Sequence, residues 1–377
     1  MKKFFLFAIP LFALACFSAE LEVDYSGKKN GAYRNFKSAL DAAKDGDTIK
    51  ILKMEFTIYD SIIVRNRKNL TVDGMFNTFS GLEKADHNNW KQVSPGLWKR
   101  DINTNTGISM RYFMVINGKL NRMGRLFKAP NRIPYKKVSE LKDNEWTVIA
   151  GKDVKGKRTK PYSIYLKLPV QISDISQADV KEPRINQLNG VEISGKCSNL
   201  TFKNMVCRNF WNDGYNIHNH AYNIVFDTIC AIDCGDDGIS AHEDCEIKVK
   251  NFVSLGNSTG ICHIQQVTAS HVNCYIEGAL GKDIFFKNDK SNRLNNVLKN
   301  VFVKTSSIGG VCLGAAPQDK LTIDKLTVVL ETPESRCYFT PAAGTEFNMK
   351  NVSVLGKTPK NMEKFKAELF KKFNGTF

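Results

Sequence analysis

Downstream of Asn199 the chain alternates apolar and polar residues in short runs, each closing on one polar residue. Leu200-Thr-Phe-Lys-Asn204, Ile247-Lys-Val-Lys-Asn251, Leu321-Thr-Ile-Asp-Lys325 and Phe347-Asn-Met-Lys-Asn351 all follow this form. With comparable endings at Thr228, Asn273 and Asn300, there are seven repeats at intervals of 22 to 27 residues. A period of two is the signature of a strand. A steady interval with no helical period between strands predicts a solenoid of β-coils, its successive turns paired in parallel about 4.8 Å apart.

The same pattern begins earlier and is then interrupted. Between Tyr33 and Lys44, Phe36, Leu40 and Ala43 recur at helical spacing, and Asp45-Gly-Asp47 leads into the β-branched run Thr48 to Leu52. This predicts a short helix that covers the open end of a solenoid core. Ser61 to Val64 and Asn69 to Gly74 read as the next strands. Residues 82–185 break the rhythm and hold three of the four tryptophans, Trp90, Trp98 and Trp146. Alternating runs at Tyr112 to Ile116 and Tyr162 to Leu168 make this a β-rich module inserted between early coils, placed to wall one end of a groove. Its Lys152, Lys155, Lys157, Arg158 and Lys160 read as a solvated hairpin tip. At the other end, Met362, Phe365, Leu369 and Phe373 form a helical apolar stripe, expected to pack on the last coil. The expected organisation is therefore 1–19 leader, 20–81 cap and first coils, 82–185 insertion, 186–356 main solenoid and 357–377 helix.

Composition changes the picture at the N-terminus. Met1-Lys-Lys3, the apolar run Phe4 to Leu14 and small residues up to Ala19 read as a secretory signal. Cys16 is a weaker candidate for lipid attachment. A secreted, periplasmic or cell-surface protein is expected, with no membrane-spanning segment after the leader. The formal charge is +16, or +14 without Lys2 and Lys3. For an exported chain this excludes nucleic acid as the natural partner and favours an acidic polysaccharide or an anionic envelope surface. A solvated lysine-rich surface is the plainer alternative. Nine cysteines remain after the leader, without zinc-type pairs. Cys207 and Cys230 are expected at matching repeat positions as small buried apolar groups, or as a disulfide.

Candidate chemistry concentrates in one stretch. Asn209-Phe-Trp-Asn-Asp-Gly-Tyr-Asn-Ile-His218 is echoed 24 residues later by Asp233-Cys-Gly-Asp-Asp-Gly-Ile-Ser-Ala-His242. Asp213 thus falls on Asp237, Gly214 on Gly238 and His218 on His242, one coil apart. A single Asp-Gly marks a turn; the doubled copy points to a stacked column of acids and imidazoles. Glycoside hydrolysis needs one carboxylic acid and one carboxylate, which Asp213, Asp236 and Asp237 could supply. Trp211 and Tyr215 are candidates for sugar stacking, and Asn216, Glu243 and Lys287 for further substrate contacts. Alternatively, His218 or His242 could remove the proton next to a uronate carboxylate, with Lys287 neutralising it. His242-Glu243-Asp244 would suit a divalent ion, calcium included, although no clear metal motif is present and no cofactor is expected. His263 and His271 read as structural.

Taken together, the helix running into Gly46-Asp-Thr-Ile49, the coils and the asparagine-bearing turns resemble the right-handed parallel β-helix, or pectin-lyase-like, superfamily. That resemblance implies an all-β solenoid over roughly 22–356 and leaves function wide open. Asn212-Asp-Gly214 and Gly235-Asp-Asp237 are similar to two motifs of polygalacturonase-type glycoside hydrolases, which implies acid and base roles for Asp213, Asp236 and Asp237. Ser258-Thr-Gly260 departs from that family's Gly-His-Gly, and Phe285-Phe-Lys287 keeps only the lysine of Arg-Ile-Lys. Gly214-Tyr-Asn-Ile-His218 is similar to the alginate C5-epimerase motif, with Asn216 at the acid position. Val115-Ile-Asn-Gly118 with Arg122 and Arg125 resembles accessory modules of some β-helix carbohydrate enzymes. The expected activity is hydrolysis of an acidic polysaccharide, the alternatives being a lyase or C5-epimerase and a non-catalytic glycan-binding solenoid.

Overall fold

A computed structural model describes residues 18–103, 111–122, 135–152, 158–288, 293–373 and 375–376. Residues 1–17 of the expected leader, with Cys16, the centre of the basic hairpin (Lys155 and Lys157) and Arg125 lie outside these residues. The described chain is a parallel β-solenoid of about 13 turns, mostly strand and with little helix. No helix among the described residues is long and apolar enough to cross a membrane.

What drives the stack is an inward column repeated in register. Ile49, Val72, Phe202, Phe226, Val249, His271, Leu298 and Ile323 lie over one another on successive coils. All are buried. Burying each apolar side chain stabilises by roughly 1.5–3 kcal/mol, and a one-residue slip would turn the whole column to solvent. His271 enters this column opposite His263, with Nε2 atoms 2.7 Å apart. Burial holds both rings neutral, the His271 pKa falling to about 3. Their place in the core agrees with a structural role.

The polar residues that close each repeat prove to be bends inside continuous strands rather than strand ends. Asn204, Thr228, Asn251, Asn273, Asn300, Lys325 and Asn351 all take positive φ, between 54° and 65°. Asparagine tolerates this left-handed conformation better than most residues, and its amide also links coils: Asn300 donates to Asn273, and Asn273 to Asn251.

On the outer face just before these bends runs a ladder of alternating charge. Glu22, Lys50, Asp73, Lys203, Asp227 and Lys250 are consecutive neighbours, and after Val272 come Lys299, Asp324 and Lys350. Opposite charges on neighbouring strands favour this register over any slipped one.

The ends differ from expectation in one respect. Helix Phe36–Ala42 caps the first coil as expected, with Asn35 as its N-cap and Phe36, Ala39 and Leu40 buried. Helix Lys360–Lys371 does not cover the last coil. It lies along the side of the stack over the outward apolar column Val206, Cys230, Val253, Tyr275 and Phe302. Phe365 stacks on Phe302 at 4.5 Å. The final strand, Glu346–Leu355, leaves Met349 and Val354 half exposed. Cys230 sits under this helix whereas Cys207 points into the solenoid, because Cys207 pairs with Ala231 and Val206 with Cys230. The expected equivalence of the two cysteines is therefore off by one residue, which in a strand means opposite faces. The described cysteines are all free thiols.

The insertion forms two antiparallel four-stranded sheets, one from Lys91–Ser94, Leu97–Ile102, Glu145–Lys152 and Arg158–Lys167, the other from Leu82–Lys84, Met114–Ile116, Lys119–Asn121 and Val180–Pro183. Its own core is built on Trp90, Trp98, Tyr112 and Trp146 and reaches the solenoid through Trp211. Glu182, fully buried, accepts from Trp90 and Tyr112 and pairs with Arg100. The solenoid resumes at Val191–Ser194.

The charge ladder gives a direct test at its gap. Val272 lies between Lys250 and Lys299. Val272→Glu should be more stable to urea than Val272→Lys by about 1 kcal/mol at low salt, because two neighbouring pairs change sign. Raising the salt concentration should shrink the difference.

Candidate functional site

Three outward columns on adjacent coils form the floor of one groove. The first contains Asn189, Asp213, Asp237, Thr259 and Lys282, the second Glu192, Asn216, Ser240, Cys262 and Phe285, and the third His218, His242 and Ile264. Asp236 stands beside the first. The groove has a volume of about 710 Å³, and Arg111, Lys282, Phe285 and Ile308 wall it.

The glycine after each aspartate is what lets these columns close up. A Cβ on Gly214 would lie 2.8 Å from the Gly238 carbonyl oxygen, and one on Gly238 would lie 2.6 Å from that of Gly260. Neither glycine has positive φ. The Asp-Gly pairs are thus close-approach positions in a coil stack, Gly214 in the bend before strand Tyr215–Ile217 and Gly238 inside strand Asp237–Leu255.

The aspartates are brought together as expected. An oxygen of each of Asp213, Asp236 and Asp237 lies within 4.8 Å of the others, and all three are buried at the groove floor. Asp213 Oδ2 accepts from Asn216 Nδ2 at 2.5 Å and from Asn212 Nδ2 at 3.0 Å. Its Oδ1 accepts from the backbone N–H of Asp237 at 2.9 Å. Burial, then the charges of Asp237 and Asp236, push the Asp213 pKa well above the usual carboxyl range despite these donors. Asp236 pairs with Arg111 at 2.5 Å, and Arg111 also donates to Asn212.

The histidines stack: the rings of His218 and His242 lie 4.9 Å apart and 7° from parallel. Burial lowers the pKa of His218 against the opposing pull of Glu243 and Glu192. Ser240 Oγ donates to Asp237 Oδ2 at 3.0 Å and lies 2.6 Å from His242 Nε2.

No known family model and no curated protein matches the chain.

Several expected contacts fall elsewhere. Trp211 is fully buried and packs edge-on against Tyr112 at 5.7 Å, and so anchors the insertion instead of stacking on sugar. Tyr215 points into the solenoid, its hydroxyl donating to the carbonyls of Met205 and Cys230. Its position in the repeat is inward, in register with Ile239. Glu243 sits past the groove at a positive-φ bend, where Oε2 accepts from the Asn219 N–H. Asp244 faces away toward His220 and Tyr222. His242, Glu243 and Asp244 therefore do not converge on a metal. Lys287 is exposed in register with Ile264, beyond the groove-lining residues.

Other residues take these places. Lys282 stands in the aspartate column, its ammonium 3.1 Å from the centre of the Phe285 ring. Both were legible as the next repeat steps after Thr259 and Cys262. Arg111 carried no signal, because it enters from the insertion. The three carboxylates offer the oxygen donors that calcium or magnesium takes, with the Arg111 guanidinium already paired to one of them.

A raised carboxyl pKa means that the folded chain holds a proton which the unfolded chain has lost. Stability from this source is full at low pH and declines as pH rises through the raised value. Asp213→Asn needs no proton, so at about pH 7.5 it should melt a few degrees higher than the wild type, and the gap should close toward about pH 4. Melting curves across that range check this.

Proposed function

We propose that the protein is a glycoside hydrolase acting on an acidic polysaccharide, with Asp213, Asp236 and Asp237 as its working carboxylates. The observation that carries this reading is the crowding of these three groups on adjacent coils at the floor of an open groove. Crowded carboxylates cannot all ionise together, which leaves one protonated to serve as an acid. Asp213, whose carboxyl pKa is raised by burial and by its two acidic neighbours, takes the role of proton donor to the glycosidic oxygen. Asp237 takes the role of base toward water. Asp236, paired to Arg111, supplies negative charge beside the positive charge that develops on the sugar ring. Arg111 and Lys282, with the net positive charge of the chain, favour a substrate bearing carboxylate or sulfate groups. Export through residues 1–19 belongs to the same reading, because such polymers lie outside the cell.

A second reading is supported by the histidine pair. His218, which burial favours in its neutral form, or His242 could take the proton next to a uronate carboxylate, giving a lyase or C5-epimerase. The products separate the two: a hydrolase releases reducing ends without new double bonds, a lyase forms unsaturated uronate, and an epimerase exchanges the C5 hydrogen with solvent.

The test is a screen of the purified protein on uronate-containing, sulfated and neutral polysaccharides. Asp213→Asn, Asp236→Asn and Asp237→Asn should each lower kcat on the order of 10³-fold, with folding retained. Binding without any product, unchanged in these variants, would contradict both enzyme readings and leave a glycan-binding solenoid.

A further inference from the structure

The hydrolase reading leaves the Asp237, Ser240 and His242 chain unexplained. Ser240 is fully buried, so its hydroxyl cannot attack a substrate, yet it touches a carboxylate and an imidazole at once. We propose that Ser240 and His242 are the proton outlet of Asp237, returning that carboxylate to its charged form after each turnover. This rests on Asp237 acting as the base.

Asp237 takes a proton from the attacking water. With His242 in its Nδ1–H form, the protonated carboxyl donates to Ser240 Oγ, and the Ser240 proton points at His242 Nε2. The carboxyl proton passes to Ser240 Oγ as the serine proton passes to Nε2. This leaves a carboxylate and an imidazolium. Loss of the Nδ1 proton to solvent gives the Nε2–H form, which donates to Ser240 while Ser240 donates to Asp237. That last arrangement is the one in which Ser240 donates to Oδ2. Before the next turnover the His242 ring swings off Ser240 and exchanges its Nε2 proton for one on Nδ1 with groove water.

The surroundings suit this role. His242 is partly exposed at the groove, so its far edge can meet water. The parallel His218 ring holds it in place. The groups facing His242 are Ser240, Asp237, His218, the adjacent Glu243 and, from the interior, His263, with Ile264 next in its column. Glu192 acts on His218 in turn. Ser240 itself is a positioning and relay residue that touches no substrate.

Two readouts test the proposal, one of them independent of activity. Imidazole-detected NMR of the full chain follows the His242 titration. Asp237→Asn should shift the His242 titration by at least about half a pH unit, and by less than half as much in a Ser240→Ala background. In kinetics, Ser240→Ala should lower kcat roughly 10- to 100-fold with KM nearly unchanged, and Ser240→Thr should restore most of it. A purely structural Ser240 would leave kcat and the coupling untouched. Equal coupling with and without the hydroxyl, or full kcat in Ser240→Ala, overturns the relay. If the three aspartate variants instead keep wild-type turnover, the hydrolase reading fails by itself. The NMR arm then still decides whether Asp237 and His242 are linked through Ser240.

Discussion

Everything in this molecule depends on how closely one coil lies on the next. Parallel strands about 4.8 Å apart leave no room for a side chain where two backbones pass, and Gly214 and Gly238 occupy such places. The residue before each glycine is thereby fixed to a single position on the groove floor. When that residue is aspartate on consecutive coils, carboxylate oxygens come within 4.8 Å of one another whether or not their charges favour it. The apolar interior supplies the force for this, with a continuous column from Ile49 to Ile323 that no slipped register could bury.

The crowding has a cost and a use. Burial and the charges of Asp237 and Asp236 raise the Asp213 pKa well above the usual carboxyl range, and Arg111 offsets part of the charge by reaching Asp236 from the insertion. The insertion is therefore more than an ornament. Its tryptophan-rich core docks through Trp211, and the buried Glu182 ties its strands together.

Much of this was legible in the sequence, for physical reasons. A period of two and a repeat of 22 to 27 residues can be satisfied together only by stacked coils, so the fold, the cap helix and the insertion followed. The column of Asp213 and Asp237, and the pairing of His218 with His242, came from the same offset. What failed was facing. Trp211 and Tyr215 looked available because aromatic residues often stack on sugars, yet one serves the insertion and the other the interior. Cys207 and Cys230 differ by a single step that turns one of them outward. The C-terminal stripe fitted the last coil equally well, and only the outward apolar column from Val206 to Phe302 decides its place. Arg111 could not have been found, because nothing in a sequence tells which surface an insertion will lean on.

Coil register brings Asp213 to Asp237, with Asp236 beside them, and so raises the pKa of Asp213 at the groove floor. Carboxyl-carbon NMR of the full chain, with each aspartate assigned by its Asn variant, measures this directly. The expected result is that the Asp213 carboxyl titrates well above the ordinary carboxylate range, and that its titration moves down toward that range, without reaching it, once Asp237 is replaced by asparagine. Three independent titrations in the ordinary range, unchanged by that replacement, would contradict the account.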